Sequence, residues 1–178
     1  MRKTVLVLTA AAALAAPAAA LADAAPTPAD AANALCKAAQ KQMTAADFAK
    51  AYKNFGQCVA KNAQQGTQAV SNAAKSCKTW QSDAAAFAAA MQGTPNAGKT
   101  FDQVYGANAQ AHGKGAGANA YGKCVSEQAK QATDAGAKKL ASAAKTCKAM
   151  LRSDAAAFAA KYGKTRNAFG KCVAAKGK

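Results

Sequence analysis

The stretch CVAKNAQQGTQAVSNAAKSC, residues 58–77, decides how the chain folds. Val59, Ala63, Gly66, Val70, Ala73 and Cys77 recur at steps of three or four. That is the period of one helix face. Alanine and lysine, which dominate here, are strong helix formers. If the stretch is one helix, its two cysteines stand roughly 28 Å apart, at about 1.5 Å per residue. A disulfide needs Cα atoms within about 7 Å. Cys58 and Cys77 therefore cannot pair with each other. A second stretch, residues 124–147, has the same character: Val125, Ala129, Ala132, Gly136, Leu140, Ala143 and Cys147 keep helical spacing. Cys124 and Cys147 are excluded as partners on the same ground. Gly66 and Gly136 fall near the middles of the two rods, where a kink is expected.

Working outward, the segments around these rods repeat. AAKSCK at 73–78 returns as AAKTCK at 143–148. SDAAAFAA at 82–89 returns letter for letter at 153–160. NAYGKCV at 119–125 returns as NAFGKCV at 167–173, with a degenerate NFGQCV at 54–59. Each unit opens with Cys-Lys (Cys36, Cys77, Cys147) and closes with aromatic-Gly-x-Cys-Val (Cys58, Cys124, Cys172). Six cysteines can pair in many ways. With the rods excluded, the repeat predicts one bond inside each unit: Cys36–Cys58, Cys77–Cys124 and Cys147–Cys172. Each would close a loop worth about 3–4 kcal/mol in the chain-entropy model.

Local signals agree with helices. Thr44-x-x-Asp47 resembles a capping box with Asp in place of Glu or Gln. Ser82-Asp83 and Ser153-Asp154 place a cap residue and an acid at a helix start. Phe48/Tyr52, Phe101/Tyr105 and Phe158/Tyr162 are i, i+4 pairs on one face, and Gly163 follows the last as a stop. No stretch alternates as a strand.

The chain opens MRKTVLVLTAAAALAAPAAALADAAP. Arg2 and Lys3 precede a short apolar run, and Ala20-Leu21-Ala22 is an A-x-A cleavage signal. Residues 1–22 read as a secretory signal peptide, with no cysteine at a lipobox position. No later segment is apolar enough to cross a membrane. The mature chain is then about 156 residues, the length of one domain. An even set of cysteines after such a leader reads as disulfides in an oxidising compartment, secreted or at the cell wall. Alanine buries little area, so cross-links must make up for a thin core.

Loss of Arg2 and Lys3 lowers the formal charge from +16 to +14. Nearly all of it is lysine, a hydrated point charge rather than the bidentate guanidinium fork. Diffuse attraction to polyanions follows, although solubility alone explains the same charge. Lys61, Lys171, Lys176 and Lys178 could line one face as polyanion contacts or simply be a solvated helix surface.

GTPNAGKT at 93–100 matches the phosphate-binding pattern G-x-x-x-x-G-K-[ST]. That loop needs a buried strand before it and a long helix after it. Here an alanine tract precedes it, and FDQVYG runs under two turns before Gly106. The expectation is a Gly/Pro/Asn turn between short helices. His112, the one histidine, lies among glycines with no orienting partner. The cysteines lack metal-ligand spacing. Three of the eight acids, Asp47, Asp83 and Asp154, have helix-start roles, and no carboxylate pair is required. Trp80 reads as core rather than as a stacking platform. No catalytic, metal or cofactor site is expected, and no specific nucleic acid.

Cys-Lys, then Asp-x-x-x-Phe, then Phe-x-x-x-Tyr-Gly, then Asn-Ala-Phe-Gly-Lys-Cys-Val, best seen in residues 147–173, resembles a repeat of small exported proteins of high-GC Gram-positive bacteria. The first copy departs from it, with Lys53 after Tyr52 instead of glycine. The resemblance covers most of residues 36–173 and implies export and a repeat architecture, with no activity attached.

The sequence thus predicts an all-α protein of three tandem disulfide-closed units joined by two long helices. Residues 23–33 form a flexible leader and 34–178 the helical repeat domain, in units of about 34–66, 67–136 and 137–178. The function expected is non-enzymatic adhesion to anionic cell-envelope polymers. The alternatives are a structural or protein-interaction scaffold and an enzyme with its site in the 93–117 insertion. Oligomeric state is not legible.

Overall fold

The computed structural model describes residues 25–106 and 119–177. Among them there are eight helices and no strand. They are α1 (Pro28–Gln42), α2 (Ala45–Tyr52), α3 (Phe55–Ser82), α4 (Ala84–Met91), α5 (Phe101–Tyr105), α6 (Ala120–Ser153), α7 (Ala155–Tyr162) and α8 (Ala168–Lys176). None is long and apolar enough to cross a membrane. The expected cleavable segment, residues 1–22, lies outside the described residues, as do His112 and Lys178.

Helix starts follow from short polar side chains. Thr27 and Asp30 form a reciprocal capping box around Pro28, the favoured residue for a first helical position. The leader expected at 23–33 is thereby corrected: the chain is helical from Pro28, and Ala31 and Ala32 are buried. The alanines pack because α1 lies against both α3 and α6. Asn54 caps α3 through Gln57 N at 2.9 Å. Asp83 is the cap of α4, its Oδ1 accepting from Ala85 N (2.9 Å) and Ala86 N (3.0 Å). Asp154 caps α7 in the same way, through Ala157 N at 2.8 Å. Cap and acid are thus a single residue. The preceding serines belong to the helices before, Ser82 donating to Lys78 O at 3.0 Å and Ser153 to Met150 O at 3.2 Å.

The rods α3 and α6 are helical throughout, including at Gly66 and Gly136. The glycines serve close approach. A Cβ on Gly66 would stand 2.5 Å from Pro28 O and 2.8 Å from Ala32 N. At Gly136 it would stand 3.1 Å from Leu35 Cδ1. Mid-rod, the buried stripe runs one residue off the expected register. Asn62 and Ala69 are buried on α3, while Ala63 is exposed and Val59 and Val70 are half-buried. Thr133 and Ala137 are buried on α6 where Ala132 and Gly136 were expected. Both polar side chains find partners: Asn62 Nδ2 donates to Cys58 O at 2.9 Å, and Thr133 Oγ1 donates to Lys130 O at 2.8 Å. A buried polar group that is hydrogen-bonded carries little penalty.

The bridges are Cys36–Cys58, Cys77–Cys124 and Cys147–Cys172, with Cα separations of 5.9, 5.9 and 6.0 Å. The middle bridge joins the end of α3 to the start of α6, so the two rods run antiparallel. This brings both outer bridges to the same end of the molecule. There α1, α2, α7 and α8 close one core, in which Leu35, Phe48, Tyr52, Leu140, Phe158, Phe169 and Val173 are buried with four of the cysteines. At the other end a second core gathers Phe87, Met91, Phe101, Tyr105 and Val125 around the middle bridge. Burying a Phe87 side chain contributes about 2–3 kcal/mol, and its ring stands 5.6 Å from Phe101 and 6.1 Å from Trp80, both edge-on.

Candidate functional site

At the end that carries the two outer bridges, α2 stops against the start of α3. The stop is abrupt. Lys53, its C-cap, has φ 65° and ψ −56°, and Asn54 N donates to Tyr52 O at 2.8 Å. This is a three-residue γ-turn with positive φ, the rare and strained mirror of the common inverse form. The other two Phe-x-x-x-Tyr pairs are followed by Gly106 and Gly163, and Gly163 also has positive φ, 91°. Only Lys53 and Asn119 hold positive φ without being glycine among the described residues.

The turn forms one lip of a cleft of about 580 Å³, whose other wall is the turn between α7 and α8. Lys50, Lys53, Lys61 and Arg166 line it with Tyr52, and none of its lining residues is acidic. Lys61 Nζ donates to Ala51 O at 3.3 Å and lies 5.9 Å from the Tyr52 ring centroid. It thus satisfies a carbonyl at the negative end of α2. Among the described residues the one ion pair is Lys148–Asp47, so Lys50, Lys53 and Arg166 have no carboxylate in contact, although Asp47 interacts with the Lys50 charge at longer range. α8 seats closely here because Gly170 has no side chain: a Cβ there would meet Ala51 O at 2.6 Å.

Two groups on α2 have shifted titrations, Asp47 near its start and Tyr52 on the cleft lining. Burial works to raise the Asp47 carboxyl, but hydrogen bonds to Thr44 and Lys148 and the charges of Lys148 and Lys50 outweigh it, so its pKa lies below the usual value. Burial raises the Tyr52 hydroxyl, against a hydrogen bond with Asn62. The Thr44 cap is one-sided: its Oγ1 accepts from Asp47 N at 3.1 Å, while the Asp47 carboxylate turns to Lys148 at 3.1 Å.

Of the lysines named from sequence, Lys61 lies in the cleft. Lys171, on α8, has its Nζ 4.0 Å from where a Gly163 Cβ would stand. Lys176 is exposed in the last turn of α8. The cleft residues that the sequence reading passed over are Lys50, Lys53 and Arg166. Lys53 stands out in the sequence only as the replacement of the glycine that follows Tyr105 and Tyr162.

The phosphate-loop look-alike is a turn. Gly93 and Gly98 take positive φ, and α5 beyond it is five residues long. Lys99 Nζ donates to Asn96 Oδ1 at 3.0 Å. Thr100 caps α5, its Oγ1 accepting from Gln103 N at 3.3 Å and its N donating to Gln103 Oε1 at 2.8 Å. A groove of about 440 Å³ lies beside it, lined by Trp80, Phe87, Lys99, Phe101 and Asp102. Trp80 is therefore half-buried at a groove edge rather than enclosed. A similar groove of about 400 Å³ lies over Phe158, where Leu151 is 38% exposed. All six cysteines are in disulfides. Residues 107–118 of the insertion lie outside the described residues.

No protein-family model, curated protein or solved structure matches this chain.

Proposed function

We propose that this is an exported, non-enzymatic protein of three disulfide-closed helical units that adheres to anionic polymers of the cell envelope. The observation that carries the reading is the cleft lined by Lys50, Lys53, Lys61 and Arg166 with no acid among its lining residues. Low-dielectric walls focus the field of such a group and raise the local concentration of anions. Further lysines on the exposed faces of α1, α3 and α6 add non-specific attraction. The likeness to exported Cys-pair repeat proteins supports the export part of the reading.

Adhesion of this kind weakens steeply with salt, because each neutralised anion releases a counterion. The test is to load the protein on a phosphodiester polymer resin at low salt and elute with rising salt. Early elution along the gradient is expected; no retention at low salt, or retention indifferent to salt, would sink the reading.

A second reading, a protein-interaction scaffold, draws on the two apolar grooves over Phe87 and Phe158. Pull-down from culture supernatant dominated by a single protein, unaffected by salt, would favour it.

A further inference from the structure

We infer that the Lys50/Lys53/Lys61/Arg166 cleft is a discrete site for one phosphate-bearing segment, and that the strained backbone of Lys53 is the device that aims its ammonium into it. The inference rests on the adhesion reading and adds to it a place, a stoichiometry and a residue.

Lys53 is a backbone outlier, with φ 65° and ψ −56°. Positive φ with negative ψ is costly for a side chain bearing a Cβ, and it persists only where the surroundings impose it. Glycine removes that cost, and glycine stands after Tyr in both related segments of this chain. At Lys53 nothing in the turn needs a lysine: its own N–H bonds Ala49 O at 2.8 Å, as any residue's would. What lysine contributes there is charge on the lining of the cleft, which Arg166 also lines. Two further features favour an anion. Gln57, in the first turn of the 28-residue helix α3, lines the cleft. So does Asn167, the N-cap of α8, whose side chain makes no cap hydrogen bond. Helix starts carry partial positive charge, which reaches the cleft from α3 although the Gln57 N–H is already bonded to Asn54 Oδ1. The end of α2 opposes them, but Lys61 already bonds its Ala51 carbonyl. The remaining cations, Lys50, Lys53 and the forked guanidinium of Arg166, exceed what one carboxylate could neutralise and suit a phosphate cluster.

The probe is tripolyphosphate, titrated calorimetrically at low salt into the wild type and three variants. Lys53→Met removes the charge and keeps the strain. Lys53→Gly removes both. Lys75→Met removes an equal charge elsewhere on α3, about 27 Å along the helix from Gln57 at ~1.5 Å per residue. The expected result is one site per chain in the wild type, weakened about tenfold in both Lys53 variants and changed less than about twofold in Lys75→Met. Lys53→Gly should also melt about 2–4 °C higher than wild type. Equal losses for Lys53→Met and Lys75→Met would overturn the discrete site, and a lower melting point for Lys53→Gly would overturn the strain. If wild type is held on the polymer resin yet shows no saturable tripolyphosphate site, this inference fails alone. Failure to be retained at all removes the adhesion reading beneath it.

Discussion

Lys148 Nζ stands 3.1 Å from Asp47 Oδ2, across 101 residues of sequence. The pair links α2 to the end of α6 and so ties together the two outer disulfide-bridged regions. Asp47 is 8% exposed, and its carboxylate bonds the Thr44 side chain and Lys148 without forming the reciprocal backbone cap that its spacing from Thr44 suggested.

A double-mutant cycle with Asp47→Asn and Lys148→Met should give a coupling of about 0.5–1 kcal/mol in urea unfolding, since the lysine is partly exposed. The Asp47 pKa is lowered in the folded state. Its contribution is therefore present above the unfolded value of about 3.9 and is lost as pH falls through the folded value. Asp47→Asn should flatten the acid side of the stability curve. An acid limb unchanged by Asp47→Asn would show that the pair is inert.

The three disulfides close separations of 22, 47 and 25 residues. Replacing each pair by alanine should cost about 3–4 kcal/mol. The Cys77–Cys124 loop is about twice as long as the others, which adds about 0.6 kcal/mol. Chemical denaturation of the three double variants should rank Cys77/Cys124 as the most damaging. A smaller loss there than at Cys36/Cys58 would mean that strain or residual unfolded structure outweighs loop entropy.

Gly66→Ala and Gly136→Ala are the same change at the middles of two similar helices, and they should diverge. At Gly66 the methyl meets backbone, Pro28 O at 2.5 Å, which cannot move without lifting α1. The expected net loss is about 1–3 kcal/mol, after the helix propensity of alanine has offset part of the clash. At Gly136 the nearest atom is the end of a leucine side chain at 3.1 Å, and the variant should stay within about 1 kcal/mol of wild type. Thermal melts showing equal effects would contradict the placement of α1.

Thr100→Ala should cost about 1 kcal/mol, the usual loss of a cap, and Lys99→Ala close to nothing. Trp80 reports on this region, because its ring stands 6.1 Å from Phe87, which packs on Phe101. Adding ATP with Mg²⁺ should leave Trp80 fluorescence unchanged in the wild type. A saturable change abolished by Lys99→Ala would revive the nucleotide-loop reading of residues 93–100.

The sequence by itself determined what depends on local spacing. Helical periodicity between Cys58 and Cys77, and between Cys124 and Cys147, implies two rods. Rigid rods of that length bar the cysteines at their ends from pairing with each other, and the repeat then selects one bond inside each unit. Polar residues before alanine tracts marked the starts of α4 and α7 to within a residue, because capping is a contact over two or three positions. Tertiary structure alone decided what depends on residues far apart in the chain. The antiparallel rods fold the two outer bridges onto one core, so that Lys50, Lys53 and Arg166 meet although more than a hundred residues separate the first from the last. α1 lies against Gly66 and Gly136, which read as kinks in sequence because a missing side chain looks the same whether it permits bending or contact. The buried stripe passes through Asn62 and Thr133, polar residues that hydrogen bonds formed in the folded chain make admissible. A basic cleft is a sum of charges at a place, and the place exists only once the chain has closed on itself.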